Sequence, residues 1–436
     1  MDVDVSSLES ATVRTFSRKP LLRQNGRFLL LVFARVVSVL GNGFARVALA
    51  FAVLALPGAT GSRLSLVLAC QALPQLLFIL IGGVIADRMS RSRLIALADL
   101  LGAAAYGCLA VMVLTEHAPL VAMCALAVMA GIATALFSPA MDGVLPTVVP
   151  ADQLQQANAL LRVGMNISLL LGLALSGLAV AVVGAGWALA LNAASFVISA
   201  VLTARLRLTS RPAKKSSGWT DLREGWKEFT SRQWLWVVVA QYTVVVAVLN
   251  AYVGVLGPLK AEEHLDGPRA WSIIVAAQAL GTISGAGFAA RLKVRRPILV
   301  AVLATFPTAL PIALLSADQA VWLIALGMFI AGFTSDIFAV LWTTTIQREV
   351  PEEALSRVSS YEWFGSLSFA PLGLLAAGPV ASAVGTDVAL TVCTILVTVA
   401  TAAALLSPSV RGLRASTAQP ERQSTETGVP APEQSP

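Results

Sequence analysis

The sequence predicts an all-α membrane protein whose twelve transmembrane helices form two pseudo-symmetric bundles of six. The 436 residues are 57% hydrophobic and only 13% charged, with a mean hydropathy of +0.77, which is far more apolar than a soluble protein. Apolar runs follow one another along the chain, each long enough to cross about 30 Å of hydrocarbon at about 1.5 Å per residue. Several positions also recur 201 residues later.

The apolar runs number twelve and show no strand-like alternation. They are therefore predicted to be helices, which satisfy every backbone hydrogen bond inside lipid. The predicted spans are 28–56, 64–86, 94–114, 119–137, 163–183, 186–204, 234–257, 271–290, 297–316, 319–340, 363–384 and 387–407.

An internal repeat divides these spans into two sets of six. Val149 and Pro150 recur as Val350 and Pro351, and the same spacing of 201 residues relates several glycines. A parallel repeat of six helices favours an alternating-access transporter whose binding site lies between the halves, near the middle of the membrane. The repeated glycines predicted to pack spans 5 and 11 closely are Gly172, Gly177, Gly373 and Gly378.

The positions of the basic residues predict the orientation of the chain. Of the 31 lysines and arginines, only Arg63, Lys260 and Arg269 fall on one side, and Arg35 and Arg46 fall within span 1. The others lie on the side that carries both termini, which is expected to be cytoplasmic because short cytoplasmic loops are rich in basic residues. The net charge of +7 follows from this asymmetry, so no nucleic-acid partner is expected.

The spans and polar segments define five regions. Within the central loop, Trp219, Leu222, Trp226 and Phe229 recur at helical spacing and predict a short amphipathic helix on the membrane surface. The C-terminal tail is rich in Pro, Ser, Thr, Gln and Glu and is expected to be disordered. The regions are a cytoplasmic tail (1–27), a six-helix bundle (28–204), the cytoplasmic central loop (205–232), a second six-helix bundle (233–407) and a cytoplasmic tail (408–436).

The stretch GGVIADRMSRSR after span 2 resembles the signature of the major facilitator superfamily between its second and third helices. The matching residues are Gly83, Asp87, Arg88 and Arg91, while Ser90 replaces the usual glycine. Longer stretches, including FARVVSVLGNGFARVALAFAVLAL, LPTVVPADQLQQANAL and DLREGWKEF, resemble the transmembrane secretion effector branch, which contains enterobactin exporters and macrolide-efflux-like proteins. The resemblance covers nearly all of the chain except its tails and implies the superfamily fold.

The signature residues are expected to form a latch on the cytoplasmic face. Gly83 allows a neighbouring helix to approach, and Asp87 can accept hydrogen bonds from Arg88 and Arg91 or face a helix N-terminus. Making and breaking such a contact would bias the inward-open against the outward-open state. The alternative is a positively charged anchor with a surface ion pair worth about 0–1 kcal/mol.

Three ionisable residues interrupt the apolar spans and are candidates for function, because an unpaired charge in a membrane is costly. Arg35 and Arg46 flank Asn42 in span 1, and Asp336 lies in span 10. Since helices 1, 4, 7 and 10 line the cavity in the superfamily, the resemblance implies that all three ionisable residues face it. The repeat partner of Asp336 is Ala135, so the fold itself does not require the acid.

Asp336 is the predicted proton-binding residue, and a structural Arg35–Asp336 pair is the alternative. Related sequences commonly have Asp where Asn42 stands, so coupling would fall to Asp336 or Asp99. Asp99 and Glu362, however, are interpreted as contacts near helix ends. Further residues predicted to line the cavity, with helix packing as the alternative, include Gln241 and Tyr242.

The predicted function is export of a small, partly hydrophobic molecule such as a drug, macrolide-like metabolite or siderophore, in exchange for protons across the cytoplasmic membrane. The alternatives are an uptake or facilitative transporter and, more remotely, a membrane enzyme. The two histidines, His117 and His264, fall in outward loops without a catalytic arrangement, and no P-loop occurs. The four cysteines form no CxxC motif. The expectation is a monomer in the lipid bilayer, with no metal and no cofactor beyond the proton gradient.

Overall fold

The computed structural model describes residues 25–88, 91–142, 144–150, 153–206, 226–289, 291–292 and 294–414. These residues are almost all helical and contain no strand. Eleven of their helices are long and apolar enough to cross a membrane. The helix Gly61–Arg88, which has 28 residues, takes the place of the remaining predicted span. The predicted all-α fold of twelve long helices is confirmed.

The first half contains helices α1 to α6, numbered as membrane spans. At the start of α1, the side-chain oxygen of Asn25 accepts a hydrogen bond from the Phe28 amide at 3.1 Å. The side-chain Nδ2 of Asn25 also donates to the Val148 carbonyl at 2.7 Å. This bond anchors the beginning of α1 to the short helix Leu145–Val148. The six spans are α1 (Gly26–Leu54), α2 (Gly61–Arg88), α3 (Arg91–Leu114), α4 (Leu120–Asp142), α5 (Leu154–Val183) and α6 (Ala185–Arg205).

The second half contains α7 to α12, three of which are interrupted. The helix α7 has a π-helical segment at Tyr252–Leu256. Proline lacks a backbone N–H, so Pro307 and Pro311 divide α9 around a 3₁₀ turn, and Pro371 lies in the first turn of the second segment of α11, which begins at Ala370. The six spans are α7 (Gln233–His264), α8 (Gly267–Ala289), α9 (Pro297–Ser316), α10 (Val321–Glu349), α11 (Glu352–Leu367 and Ala370–Val384) and α12 (Thr386–Leu406).

The helix α7 continues beyond its predicted end at residue 257 and reaches His264. Its last segment contains Lys260, which is only 1% exposed. The Lys260 Nζ atom lies 2.7 Å from Asp318 Oδ1 and 2.6 Å from Asp387 Oδ1. These ion pairs join the end of α7 to the α9–α10 turn and to the start of α12, which keeps a polar helical segment against the bundle.

The internal repeat is visible in the backbone at the turns that follow α5 and α11. Gly184 has φ 88° and ψ 159°, and Gly385 has φ 89° and ψ 153°. This region of backbone conformation is accessible almost only to glycine. The two positions lie 201 residues apart, so the repeat preserves a turn that a side chain would strain.

The repeated glycines Gly172 and Gly373 hold equivalent helix pairs together within each half. A methyl group at Gly172 would overlap the carbonyl oxygen of Leu40 on α1. A methyl group at Gly373 would overlap the carbonyl oxygen of Ala247 on α7. Both glycines therefore allow backbone-to-backbone packing of the kind that small residues permit between membrane helices.

The repeated glycines Gly177 and Gly378 make contacts between the halves. Gly177 on α5 lies against Ser272 on α8, and Gly378 on α11 lies against Gly61 on α2, with no space for a side chain at either glycine. The Gly378 amide also donates to Ser65 Oγ at 2.7 Å. Ser65 and Ser272, 207 residues apart, occupy equivalent places in the two halves.

These two contacts lie about 9 Å from the ends of α5 and α11, since each glycine is six residues before its helix ends. That end of the bundle is opposite the face at which α1 begins and α12 ends. We call the face where α1 begins and α12 ends the terminal face, and the face near the Gly177 and Gly378 contacts the opposite face. The two halves are therefore closed against each other at the opposite face.

The central loop is described only from residue 226, and Trp219 and Leu222 of the predicted amphipathic helix lie outside the described residues. Residues 226–231 are helical. The rings of Trp226 and Phe229 lie 5.5 and 6.2 Å from the ring of Tyr361 on α11. Phe229 is buried and Trp226 is 55% exposed, so the end of the loop rests on α11 with one aromatic side chain facing outward.

Candidate functional site

A cavity of about 460 Å³ lies between the two halves. It is formed by α1 to α4 of the first half and by α7, α8 and α11 of the second. Its described lining residues are Asn42, Ala45, Arg46, Leu49, Leu68, Gln71, Ala72, Gln75, Tyr106, Thr134, Leu249, Asn250, Val253, Gly254, Gln278 and Leu374.

Helical spacing explains how α1 presents one face to this cavity. The lining positions 42, 45, 46 and 49 are separated by three or four residues, which places them on one side of the helix. Gly41 and Gly43 lie on another side, where Gly41 packs against Ser195 and Gly43 against the backbone of Gly172. The Gly41-Asn42-Gly43 stretch thus combines close packing with a polar cavity position.

Two glutamines occupy equivalent places on α2 and α8, 207 residues apart. The backbone of Gln71 lies against Gly131 on α4, and the backbone of Gln278 lies against Gly332 on α10. The Gln71 amide donates to the Tyr106 hydroxyl at 3.0 Å. Close glycine packing behind both helices therefore sets the positions from which the two glutamines reach the cavity.

Arg46 is the only charged side chain among the described lining residues. It is an exposed residue, and its surface borders the cavity. Asn42 lies four residues earlier on the same face of α1. The prediction that Arg46 and Asn42 are cavity residues agrees with this placement, and the remaining lining side chains are amides, hydroxyls and apolar groups.

Arg35 lies elsewhere in the first half and is not among the described lining residues. Its guanidinium carbon lies 4.6 Å from the centre of the Phe137 ring, and its charge acts on Asp99. Asp99 is fully buried and accepts a hydrogen bond from Ser199 on α6 at 2.6 Å. The interpretation of Asp99 as a helix-end contact is wrong, because α3 begins two turns earlier and Ser199 comes from a distant part of the chain.

Asp336 is half-buried on α10, one turn after Gly332, and it lies outside the described lining. The arginine whose charge acts on its carboxylate is Arg162 of α5, and the Arg35–Asp336 pair weighed from the sequence stays a hypothesis. Tyr242 stacks on Phe338 with ring centres 4.5 Å apart, and the charge of Asp336 also acts on Tyr242. Asp336 is therefore within electrostatic range of a tyrosine of its own half and of an arginine of the other.

Glu362 is a second acid of this region that sequence reasoning placed at a helix end. It lies ten residues after α11 begins and accepts a hydrogen bond from Trp342 Nε1 at 3.1 Å. Ser366 Oγ donates to the same Glu362 oxygen at 3.4 Å. The helix-end interpretation is wrong because α11 starts about three turns earlier than the apolar run suggested.

Gln241 was predicted to line the cavity, and the structure contradicts this. The residue is 4% exposed, and its Nε2 atom donates to Thr305 Oγ1 at 3.0 Å and to Thr401 Oγ1 at 3.3 Å. These partners lie on or near α9 and on α12, so Gln241 joins helices inside the second half. Buried amides commonly find such partners because an unsatisfied amide in an apolar core is costly.

The predicted latch lies outside the described residues as far as side chains are concerned. Between α2 and α3, the structure describes side chains up to residue 78 and again from residue 92. This applies to Gly83, Asp87, Arg88 and Arg91 alike, so the latch stays a prediction.

A polar cavity between two pseudo-symmetric six-helix halves defines a multi-pass membrane transporter. The family model described as Major Facilitator Superfamily matches residues 31–371, and the chain belongs to this family. The multidrug efflux pump Tap of Mycolicibacterium fortuitum is 27% identical over 83% of this chain and 91% of its own length. Tap of Mycobacterium tuberculosis is 26% identical over 83% of this chain and 88% of its own length.

Solved structures share the fold. A crystal structure of a mutant form of the nucleoside transporter NupG superimposes with a TM-score of 0.73 at 13% identity, covering 87% of this chain and 99% of that chain. At this identity the likeness concerns the fold, and it supports the assignment of twelve helices around a central cavity.

Proposed function

We propose that the protein exports a small, partly hydrophobic molecule across the cytoplasmic membrane by alternating access, in exchange for protons. The observation that carries the proposal is the polar cavity between the halves, combined with closure at the opposite face through Gly177 and Gly378. The efflux direction is supported by the two Tap relatives, whose names describe multidrug efflux pumps. The volume of the cavity suits a small organic molecule.

The proposed orientation places the terminal face in the cytoplasm, because the basic residues are concentrated in the loops and tails of that face. On this orientation the conformation is closed to the outside, and a substrate enters from the cytoplasm. The outward-open state requires the Gly177 and Gly378 contacts to separate and the halves to close at the terminal face.

Asp336 is the proposed proton-coupling residue. No carboxylate lies in the described cavity lining, and Asp99 is fully buried in the first half. Asp336 is half-buried one turn after Gly332, which packs against the backbone of the cavity residue Gln278, and Arg162, whose charge acts on Asp336, belongs to the other half. A charged Asp336 would attract Arg162 and favour closure of the terminal face, whereas protonation would remove this attraction and favour its opening.

This arrangement supports exchange in a definite order. Substrate binding from the cytoplasm to the deprotonated protein allows the terminal face to close, with the Asp336–Arg162 attraction assisting. Release of the substrate outside is followed by protonation of Asp336, which lets the terminal face reopen. Proton release to the cytoplasm then completes one cycle of antiport.

The test is efflux from cells that express the wild type, Asp336→Asn or the control Glu263→Gln, using macrolides together with anionic and cationic dyes. We expect a protonophore to abolish efflux by the wild type, and we expect Asp336→Asn to abolish it without loss of protein. Glu263 lies on the opposite face and is 46% exposed. Its replacement by Gln removes one negative charge, as Asp336→Asn does, but far from Arg162, so the Glu263→Gln variant should export normally.

If Asp336→Asn exported normally and remained sensitive to the protonophore, Asp336 would not be the coupling residue, but the proposed transport function would still hold. Export by the wild type that continues unchanged in the presence of the protonophore would contradict proton exchange. The alternative of uptake or facilitation is separated by comparing right-side-out with inverted vesicles: an exporter accumulates substrate only in inverted vesicles, and it does so only when the vesicle interior is acidified.

A further inference from the structure

The cavity has a fixed positive charge and no counter-charge among its described lining residues. Among the lining residues that the structure describes, Arg46 contributes the only ionic group, and five amide side chains accompany it. The amides belong to Asn42, Gln71, Gln75, Asn250 and Gln278. The electrostatic character of the proposed binding site is therefore set by one cation surrounded by neutral hydrogen-bonding groups.

Arg46 makes no ion pair with any described carboxylate. Among the lining residues, Tyr106 contributes a neutral hydroxyl, which accepts a hydrogen bond from Gln71. Arg46 lies eight residues before the end of α1, which is about 12 Å from the opposite face. A charge at such depth is costly unless water or an opposite charge compensates it, so the cavity suits an anion placed at Arg46.

The acids of the second half do not neutralise this charge at the cavity surface. Asp336 and Glu362 lie outside the described lining, and Glu362 is occupied by Trp342 and Ser366. A cation entering the cavity would meet Arg46, with no carboxylate among the described lining residues to pair with. An anion would meet an arginine, whose planar donors suit a carboxylate or a comparable acidic group.

The rest of the lining determines the other part of the ligand. Apolar side chains come from both halves, including Leu49 and Leu68 from the first and Leu249, Val253 and Leu374 from the second. A volume of about 460 Å³ fits a mid-sized organic molecule. The surface thus combines one acid-binding group, several amides and apolar walls.

We propose that this cavity binds amphiphilic anions, with an acidic group of the ligand at Arg46 and its apolar body against the leucine and valine walls. The inference rests on the proposed transport function and names its substrate class. Cationic amphiphiles of the same size are poor ligands of the cavity.

Two xanthene dyes of similar size test the proposal on purified full-length protein in an uncharged detergent. Fluorescein is anionic at pH 7.5, and rhodamine 123 is cationic. We expect fluorescence polarisation to show that the wild type binds fluorescein at least about tenfold more tightly than rhodamine 123. Arg46→Gln should remove this preference, and Arg46→Lys should retain most of it.

Asn42→Asp is the second variant and changes almost no volume. It places a carboxylate four residues before Arg46 on the same helix face, at the spacing that pairs charges. Fluorescein affinity should fall at least about tenfold and rhodamine 123 affinity should rise. Glu263→Gln serves as the control and should bind both dyes as the wild type does.

The proposal would be overturned if the wild type bound both dyes equally, bound rhodamine 123 more tightly, or did not bind fluorescein. It would also be overturned if a well-folded Arg46→Gln protein kept the wild-type preference. The unfolding temperature of each variant establishes that it is folded. Failure of the transport function itself is seen separately, as absence of directional efflux in cells for every compound in the panel, whatever the purified protein binds.

Discussion

The two halves of the transporter share their packing residues but not their charges. Gly172 and Gly373 hold equivalent helix pairs, and Gly177 and Gly378 make equivalent contacts between the halves. In contrast, the position equivalent to Arg46 on α7 is Val253, 207 residues later, and the repeat partner of Asp336 is Ala135. Both halves therefore contribute the same architecture, while each contributes a different charge to the region between them.

This difference separates two kinds of residue in a repeated fold. A residue that both halves need for helix packing appears at both positions. A charge at only one of the two positions is not required by the packing, which makes function its more natural explanation. Lys260 is a structural exception, because its counterpart in the first half is Val53 and yet its role is to join helices.

The largest expected effect on the balance between conformations comes from filling the contacts between the halves. Gly177→Val and Gly378→Val should each weaken closure at the opposite face, since overpacking costs about 1–3 kcal/mol. We expect both variants to shift the protein toward the state open at that face, by a factor of about 5 to 150. The measurement is labelling of a cysteine introduced at Asn250 by an impermeant maleimide, after replacement of the four native cysteines.

Gly287→Val is the matched control, because nothing lies within 4 Å of a side chain added there. Labelling should be unchanged in this variant. If only one of Gly177→Val and Gly378→Val increased the labelling, the closure would not be shared between the halves and the comparison would fail.

The largest expected effect on stability concerns the ion pairs of the second half. Lys260 is buried, whereas Asp318 and Asp387 are 56% and 52% exposed. Asp318→Asn combined with Asp387→Asn leaves a buried cation without a partner and should destabilise the fold by about 3–5 kcal/mol. Lys260→Met leaves only solvated carboxylates and should cost less, about 1–3 kcal/mol. Thermal unfolding in detergent measures both, and an equal or reversed order would contradict this account.

The same cluster has a predictable pH dependence. The hydrogen bond from Lys260 lowers the pKa of Asp318 below its ordinary value. A carboxyl group whose pKa is lower in the folded state stabilises the fold fully above its unfolded pKa of about 3.9 and loses this contribution as pH falls through the folded pKa. The difference in unfolding temperature between the wild type and Asp318→Asn should therefore be constant from pH 8 to 5 and shrink only below about pH 4.

The smallest effect tests the shared turns. Gly184→Ala and Gly385→Ala should each lower the free energy of unfolding by about 1–3 kcal/mol, because both positions need a backbone conformation almost restricted to glycine. Their nearly identical angles predict nearly equal losses in unfolding temperature. Gly287→Ala, in a helix interior, should instead be neutral or slightly stabilising. Clearly different decreases in unfolding temperature for Gly184→Ala and Gly385→Ala would show that the two turns are not equivalent.

Sequence reasoning found the features that are local or periodic. Apolar run length predicted the helices, and the 201-residue spacing identified the glycines that contact neighbouring helices. Arg46 and Asn42 were expected at the cavity because the resemblance to the superfamily implies that the first helix lines it, and both are in the observed lining. The assignment failed for Gln241, whose partners Thr305 and Thr401 lie 64 and 160 residues away along the chain, and for Asp99, whose partner Ser199 is 100 residues away.

The sequence by itself determined the membrane class, the number and approximate limits of the helices, the repeat and the choice of family, because hydrophobic length and residue spacing are properties of the chain. Only the tertiary structure decided which polar residues share a cavity, that Arg46 is its one described charge, that Arg162 of the other half lies within electrostatic range of Asp336, and that the opposite face is closed. Those relations depend on which helices lie side by side, and that arrangement is settled by packing between residues far apart in the chain.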